Sequence, residues 1–163
     1  MPDTHSPYDP KLEAAQKYRT ITRLIERLHR LYLDVIRAEL ARMGVDDINA
    51  VQALLLTNIG SSEVNVKTLM ERGYYQGSNA NYNLKKLVES GYIERFKSPN
   101  DLRATMVRLT PAGHELSSKI QQLETALAET IDNDYGGLGD LLDRLGGLEN
   151  AWSYHIRVCS LGG

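Results

Sequence analysis

Along this 163-residue chain apolar residues recur at helical spacing, and over one short stretch that spacing gives way to another pattern. Tyr92–Lys97 and Thr105–Thr110 carry β-branched and aromatic residues, and Ser98-Pro99-Asn100-Asp101 between them is a strong turn sequence. The stretch predicts a β-hairpin with a polar tip, set into an otherwise helical chain.

Residues 11–43 predict one long helix. Ile21, Leu24, Leu28, Leu31, Val35, Ile36 and Leu40 recur at spacings of three and four, and no Pro or Gly interrupts before Gly44. Arg19, Arg23, Arg27, Arg30 and Arg37 take the other faces. At 1.5 Å per residue such a helix is about 45–50 Å long. That is more than a small domain covers, so part of its apolar stripe should meet a partner chain. A second helix is expected over Ala50–Ile59, where Asn49 and Gln52 have capping-box spacing and Gly60 is the stop. A third fits Val66–Arg72, with Asn65 as N-cap and Gly73 as terminator. A fourth runs from Gly77 or Ser78 to Ser90, burying Ala80, Leu84, Leu87 and Val88. After the hairpin, Pro111-Ala112-Gly113 opens a helix to about Asp132, and a last one spans about Leu141 to Val158.

The order is four helices, a hairpin and two helices. The third and fourth helices, joined by a short Gly-containing turn, have helix-turn-helix order, and the hairpin after them supplies a wing. The expected fold class is therefore mainly α with a small β-hairpin: a winged helix-turn-helix flanked by N- and C-terminal dimerisation helices. Residues 1–10 read as a flexible N-terminal arm, 11–45 as a dimerisation helix, 46–113 as the winged helix-turn-helix, and 114–163 as C-terminal dimerisation helices.

Charge follows the same division. The chain carries a net −2, but residues 65–110 carry +4 between acidic neighbours, −3 over 44–64 and −5 over 111–163. A surface that neutralises phosphates needs local positive charge rather than a high overall pI. No apolar run approaches the roughly 20 residues of a membrane span, and the N-terminus has no apolar stretch of signal-peptide length. A single cysteine, Cys159, leaves no internal disulfide and no multi-Cys zinc site, and at the C-terminal end it reads as a small packed residue. These features predict a cytoplasmic protein. His5, His29, His114 and His155 are scattered without metal-ligand spacing, and no nucleophile elbow, P-loop or dinucleotide fingerprint is present. No enzyme, metal or cofactor is expected.

The segment from Leu69 to Gly113 resembles, without gaps, the MarR-type winged-helix regulators. Gly91-Tyr92-Ile93-Glu94-Arg95 is similar to the family's passage from recognition helix to wing. Asp101-Leu102-Arg103 and Val107-Arg108-Leu109-Thr110-Pro111-Ala112-Gly113 are similar to its wing and exit. Three positions depart from the pattern. Gly73-Tyr74-Tyr75 replaces a Leu-Gly-aliphatic turn, Asn83 stands where an apolar residue is typical, and Leu102 replaces a common Arg. Tyr74–Lys86 resembles an alphaproteobacterial subgroup that regulates cell-wall and stress genes.

The resemblance implies a homodimer on a pseudo-palindromic site in double-stranded DNA. The fourth helix would offer Ser78, Asn79, Asn81 and Tyr82 to base edges in the major groove. Lys85, Lys86 and Lys97 would meet phosphates, and Arg103 would enter a narrow minor groove, oriented or braced by Asp101. The family's regulatory logic also implies a small-molecule effector between the dimer frame and the winged helix, with His29 and Tyr32 as candidate contacts. The alternative is a winged helix used for protein–protein contact, which the net charge of −2 and Leu102 favour.

Overall fold

Caps set the helix boundaries. In the computed structural model, which describes residues 10–73 and 77–161, α1 spans Pro10–Arg42 and α2 spans Ala50–Ile59. The side chains of residues 72, 73, 77, 78 and 161 also lie outside the described part. The expected N-terminal arm therefore falls outside it except for Pro10, which opens α1, as do Tyr74 and Tyr75 of the unusual turn. Asn49 caps α2 with its side-chain oxygen on the Gln52 N–H, while the Gln52 amide oxygen accepts from the Asn49 N–H, the expected reciprocal box. Gly60, at φ 70°, ends α2. In α3, Val66–Gly73, the Asn65 side chain accepts from the Lys67 N–H and caps the first turn. The fourth helix, α4, runs Gly77–Glu89.

Three strands make a small antiparallel sheet in the order β1-β3-β2. The wing is β2, Ile93–Lys97, against β3, Thr105–Leu109, with Ile93 opposite Leu109 and Lys97 opposite Thr105. The sequence pattern does not predict β1, Val64–Asn65, which pairs with Val107 and Met106 of β3. Two residues are too few to show a period.

Two helices close the chain: α5, Pro111–Tyr135, and α6, Leu138–Leu161. The turn between them is confined to Gly136 and Gly137, at φ 63° and 71°, so both helices run further into the glycine-rich stretch than expected.

The chain divides into two compact units, Met1–Ile120 and Gln121–Gly163, with the boundary inside α5. In the first, α2 contributes Ala53, Leu55 and Leu56 to the core and α4 contributes Ala80, Leu84 and Leu87, with Leu69, Ile93, Val107, Leu116 and Ile120 among the other buried residues. Val88 was expected in this stripe but is exposed, because it sits on the stripe's edge beside Leu87. From α1 only Ile36 and Leu40 are buried; Ile21, Leu24, Leu28, Leu31 and Val35 stay exposed along the preceding turns. In the second unit Leu141, Leu145, Trp152 and Ile156 of α6 are likewise exposed. Cys159, expected as a packed residue, is exposed on the same helix, with its Sγ 3.6 Å from His155 Nε2. No described helix is long and apolar enough to cross a membrane.

Candidate nucleic-acid interface

The burial of Ala80, Leu84 and Leu87 fixes which side of α4 faces outward. At helical spacing Tyr82 and Lys85 lie opposite that stripe, with Asn79 and Lys86 on one flank and Asn81 on the other. Asn79, Asn81, Tyr82 and Lys85 are exposed and Lys86 is half-buried, so five of the predicted DNA contacts, three for bases and two for phosphates, lie on the accessible side of the helix. Ser78 belongs to the first turn of α4, but its side chain lies outside the described residues. Asn and Ser have the donor–acceptor chemistry to pair with base edges.

The cations of this helix are already engaged. Lys86 Nζ is 2.8 Å from Glu89 Oε2 and lies over the Tyr82 ring at 5.9 Å, while Lys85 Nζ is 3.7 Å from Glu89 Oε1. The Lys86 hydrogen bond holds the Glu89 carboxyl below the usual carboxylate range, and the same bond raises the Lys86 ammonium. Such pairs are solvent-exposed and weak, and they can yield to a phosphate.

In the wing, Asp101 acts on the backbone. Its carboxylate accepts the Arg103 N–H at 2.9 Å, and its carbonyl accepts the Ala104 N–H at 2.9 Å. The Ala104 carbonyl in turn accepts the Ser98 N–H at 3.0 Å and closes the loop. An Asp that bonds the backbone two residues on is an Asx-turn, which pins the tip without consuming the charge it carries. Arg103 is therefore held by its main chain, while its guanidinium is exposed and makes no ion pair among the described residues. Of the two roles expected for Asp101, the hydrogen bonds support bracing. Leu102 at the tip is 75% exposed. Lys97 donates to Thr105 Oγ1 across the hairpin at 3.2 Å.

Two features escaped the sequence reading. Arg95 shares a face of β2 with buried Ile93 and exposed Lys97, is itself exposed, and has no ion pair among the described residues, which adds a cation to the wing. Its period-2 spacing from Lys97 was the available signal. On the other face Arg108 bonds Glu94 at 2.8 Å and Glu63 at 3.1 Å and stacks over Phe96 at 5.1 Å. These bonds, Glu94 first, raise the Arg108 guanidinium further and brace the sheet.

Among its described residues the first unit also holds cavities. One, of about 200 Å³, is lined by Met43, Val45, Tyr92, Ala112, Leu116 and the Glu115–Lys119 pair. Another, of about 370 Å³, lies where α1 meets α2, with Arg37, Leu40 and Ile48 on its wall. His29, exposed, and Tyr32, half-buried, line neither. No three His, Cys, Asp or Glu side chains converge as metal ligands among the described residues.

Residues 48–113 match the family described as a winged helix DNA-binding domain. Over 143 residues the chain is 37% identical to the exopolysaccharide II synthesis transcriptional activator ExpG of Rhizobium meliloti (strain 1021), covering 86% of this chain and 74% of that protein. Among solved structures it is similar to Streptococcus pneumoniae FabT in complex with DNA, at 20% identity and a TM-score of 0.67 over 86% of this chain and 99% of that one. The regulator BldR of Sulfolobus solfataricus aligns at 17% identity and a TM-score of 0.70, over 88% and 99%. A mutant E. coli MarR complexed with operator DNA aligns at 22% and 0.66, over 81% and 95%. At these identities the structural likenesses establish the fold.

Proposed function

Because this chain belongs to the MarR-type winged-helix transcriptional regulators, we propose that it binds duplex DNA as a homodimer, with α4 in the major groove and the wing in the minor groove. The observation that carries this reading is the wing tip. Asp101 spends its carboxylate on the Arg103 backbone, so the guanidinium is presented, exposed and unpaired among the described residues, at the end of a braced loop. An Arg so held suits a narrow minor groove, where negative potential is concentrated. Asn79, Asn81 and Tyr82 on α4 then face base edges, and Lys85, Lys86, Arg95 and Lys97 meet phosphates.

The exposed apolar stripe of α1 supports dimerisation, since Leu24, Leu28 and Leu31 stay 40–52% exposed. For an effector, the cavity beside Tyr92 is better placed than His29 or Tyr32. It combines apolar walls with a phenol and an ion pair and adjoins the strand that leads into the wing. A ligand there acts by its differential affinity for DNA-competent and incompetent states. The protein works in the cytoplasm, where its DNA is.

The reading is tested by selecting bound DNA from a pool of random duplexes, followed by titration against salt. A pseudo-palindrome with half-sites about one helical turn apart is expected, with affinity falling steeply as salt rises. Recovery of no enriched sequence overturns the reading and favours a protein-contact role.

A further inference from the structure

Two polar side chains are fully buried among the described residues, Gln52 and Ser117, each 4% exposed. Gln52 spans two elements. Its amide oxygen accepts from the Asn49 N–H at 2.9 Å and completes the cap of α2. That bond fixes which end of the amide faces the cap, so the nitrogen must point away. It donates to Asn83 Oδ1 on α4, 31 residues on, at 3.2 Å. Capping alone does not require this second bond, because a Glu carboxylate closes the same box.

Asn83 borders the buried stripe of α4 on the side of Asn79 and Lys86, four residues after one and three before the other. It occupies a place where another apolar residue would extend the stripe of Ala80, Leu84 and Leu87. Apolar contacts hold a helix down but are non-directional, and they permit small rotations about its axis. A hydrogen bond between a buried amide and a half-buried one is directional and resists them. Base reading depends on such rotations, since donors and acceptors must fall within hydrogen-bond distance of a base edge.

We propose that the Gln52–Asn83 hydrogen bond positions the reading helix: it sets the roll of α4 on α2, and so fixes which side chains meet the bases. Neither residue touches DNA; both act through Asn79, Asn81 and Tyr82. The proposal rests on α4 being the DNA-reading helix, as set out above.

The test uses full-length protein and the ratio of affinities for its best selected duplex and a scrambled duplex of equal length, alongside the melting temperature. Asn83→Leu keeps the cap of α2 and removes the bond. It should lower the ratio about tenfold, on the scale of one base contact, with affinity for the scrambled duplex and its salt slope unchanged. Gln52→Leu with Asn83→Leu removes the unpaired amide but also the acceptor of the Asn49 N–H, so melting temperature should recover only in part while the ratio does not. Asn83→Asp restores an acceptor for Gln52 Nε2 and should rescue the ratio, with weaker binding to both duplexes from the added charge. If Asn83→Leu keeps the wild-type ratio, or the double variant regains ratio and melting temperature together, the bond only fills the core and the proposal fails. A wild-type protein that selects no sequence instead removes the DNA reading itself, and this proposal with it.

Discussion

A Cβ placed on Gly113 would stand 2.0 Å from the carbonyl oxygen of Tyr92. That oxygen already accepts the Thr110 N–H at 3.0 Å, and the Thr110 hydroxyl donates to the Gly91 carbonyl at 2.7 Å while accepting the Gly113 N–H at 3.1 Å. The two residues leading into β2 are thus bound to the start of α5, and the obstructing atom is backbone, which cannot swing aside. Gly113→Ala should destabilise the protein by at least about 1–3 kcal/mol, the usual range for overpacking. Urea unfolding measures it as a lower midpoint at unchanged slope. An alanine variant with the wild-type midpoint would show that the junction opens freely.

Tyr92 also ties this junction to the loop between α1 and α2, donating its phenol to Asp47 Oδ1 at 3.1 Å. Partial burial first, and then the bond to Asp47, raise the phenol above its ordinary range. A folded value raised above the unfolded one means that the neutral phenol is the form the fold prefers. Its stabilisation is complete below the ordinary phenol value of about 10 and fades as pH climbs through the raised folded value. Melting temperature followed from pH 8 upward should fall less steeply in Tyr92→Phe than in the wild type at the alkaline end. Parallel curves would mean that the fold does not favour the neutral phenol over the ionised one.

The same residues show what the sequence could and could not reveal. The capping box of Asn49 and Gln52 and the stop at Gly60 are local signals, and α2 has the predicted limits. The hairpin is equally legible, since its turn residues and period lie within twenty positions. The second bond of Gln52 and the pairing of Arg108 with Glu63 are not, because each joins residues more than thirty positions apart. β1 was missed for the same reason: its two residues acquire meaning only beside β3. In the candidate interface the residue types on α4 were readable from periodicity. The free guanidinium of Arg103 was not, because it depends on the Asp101 carboxylate choosing the backbone over the side chain.

Glu89 restrains the cations of α4. Its carboxylate faces both Lys85 and Lys86, so Glu89→Gln should release two ammonium groups toward phosphate. Binding to non-specific duplex should tighten. The slope of log affinity against log salt should steepen by up to about 0.9 for each further phosphate neutralised. A titration between low and physiological salt checks both. An unchanged slope would show that the lysines already leave Glu89 when DNA arrives.

Arg103 and Asp101 should separate charge from bracing. Arg103→Ala removes an exposed side chain with no ion pair among the described residues, so operator affinity should fall while the melting temperature holds. Asp101→Ala keeps the guanidinium but loses the Asx-turn, so the tip becomes less ordered and affinity should fall by a smaller factor. Fluorescence anisotropy at physiological salt compares the two. Equal affinity of wild type and Arg103→Ala would remove the minor-groove role.

Dimerisation should depend on the exposed apolar stripe of α1. Leu28 and Leu31 are each 52% exposed, three residues apart on one face. Fully burying a leucine contributes about 1.5–3 kcal/mol, and a carboxylate in its place must be desolvated without a partner. The double variant Leu28→Glu with Leu31→Glu should therefore sediment as a monomer at concentrations where the wild type is dimeric. Neither side chain belongs to the winged helix, so the monomer should keep its affinity for a scrambled duplex per protomer. Preference for the two-half-site duplex should disappear, because simultaneous engagement is what makes that duplex favoured. A variant that remains dimeric would place the interface on other residues.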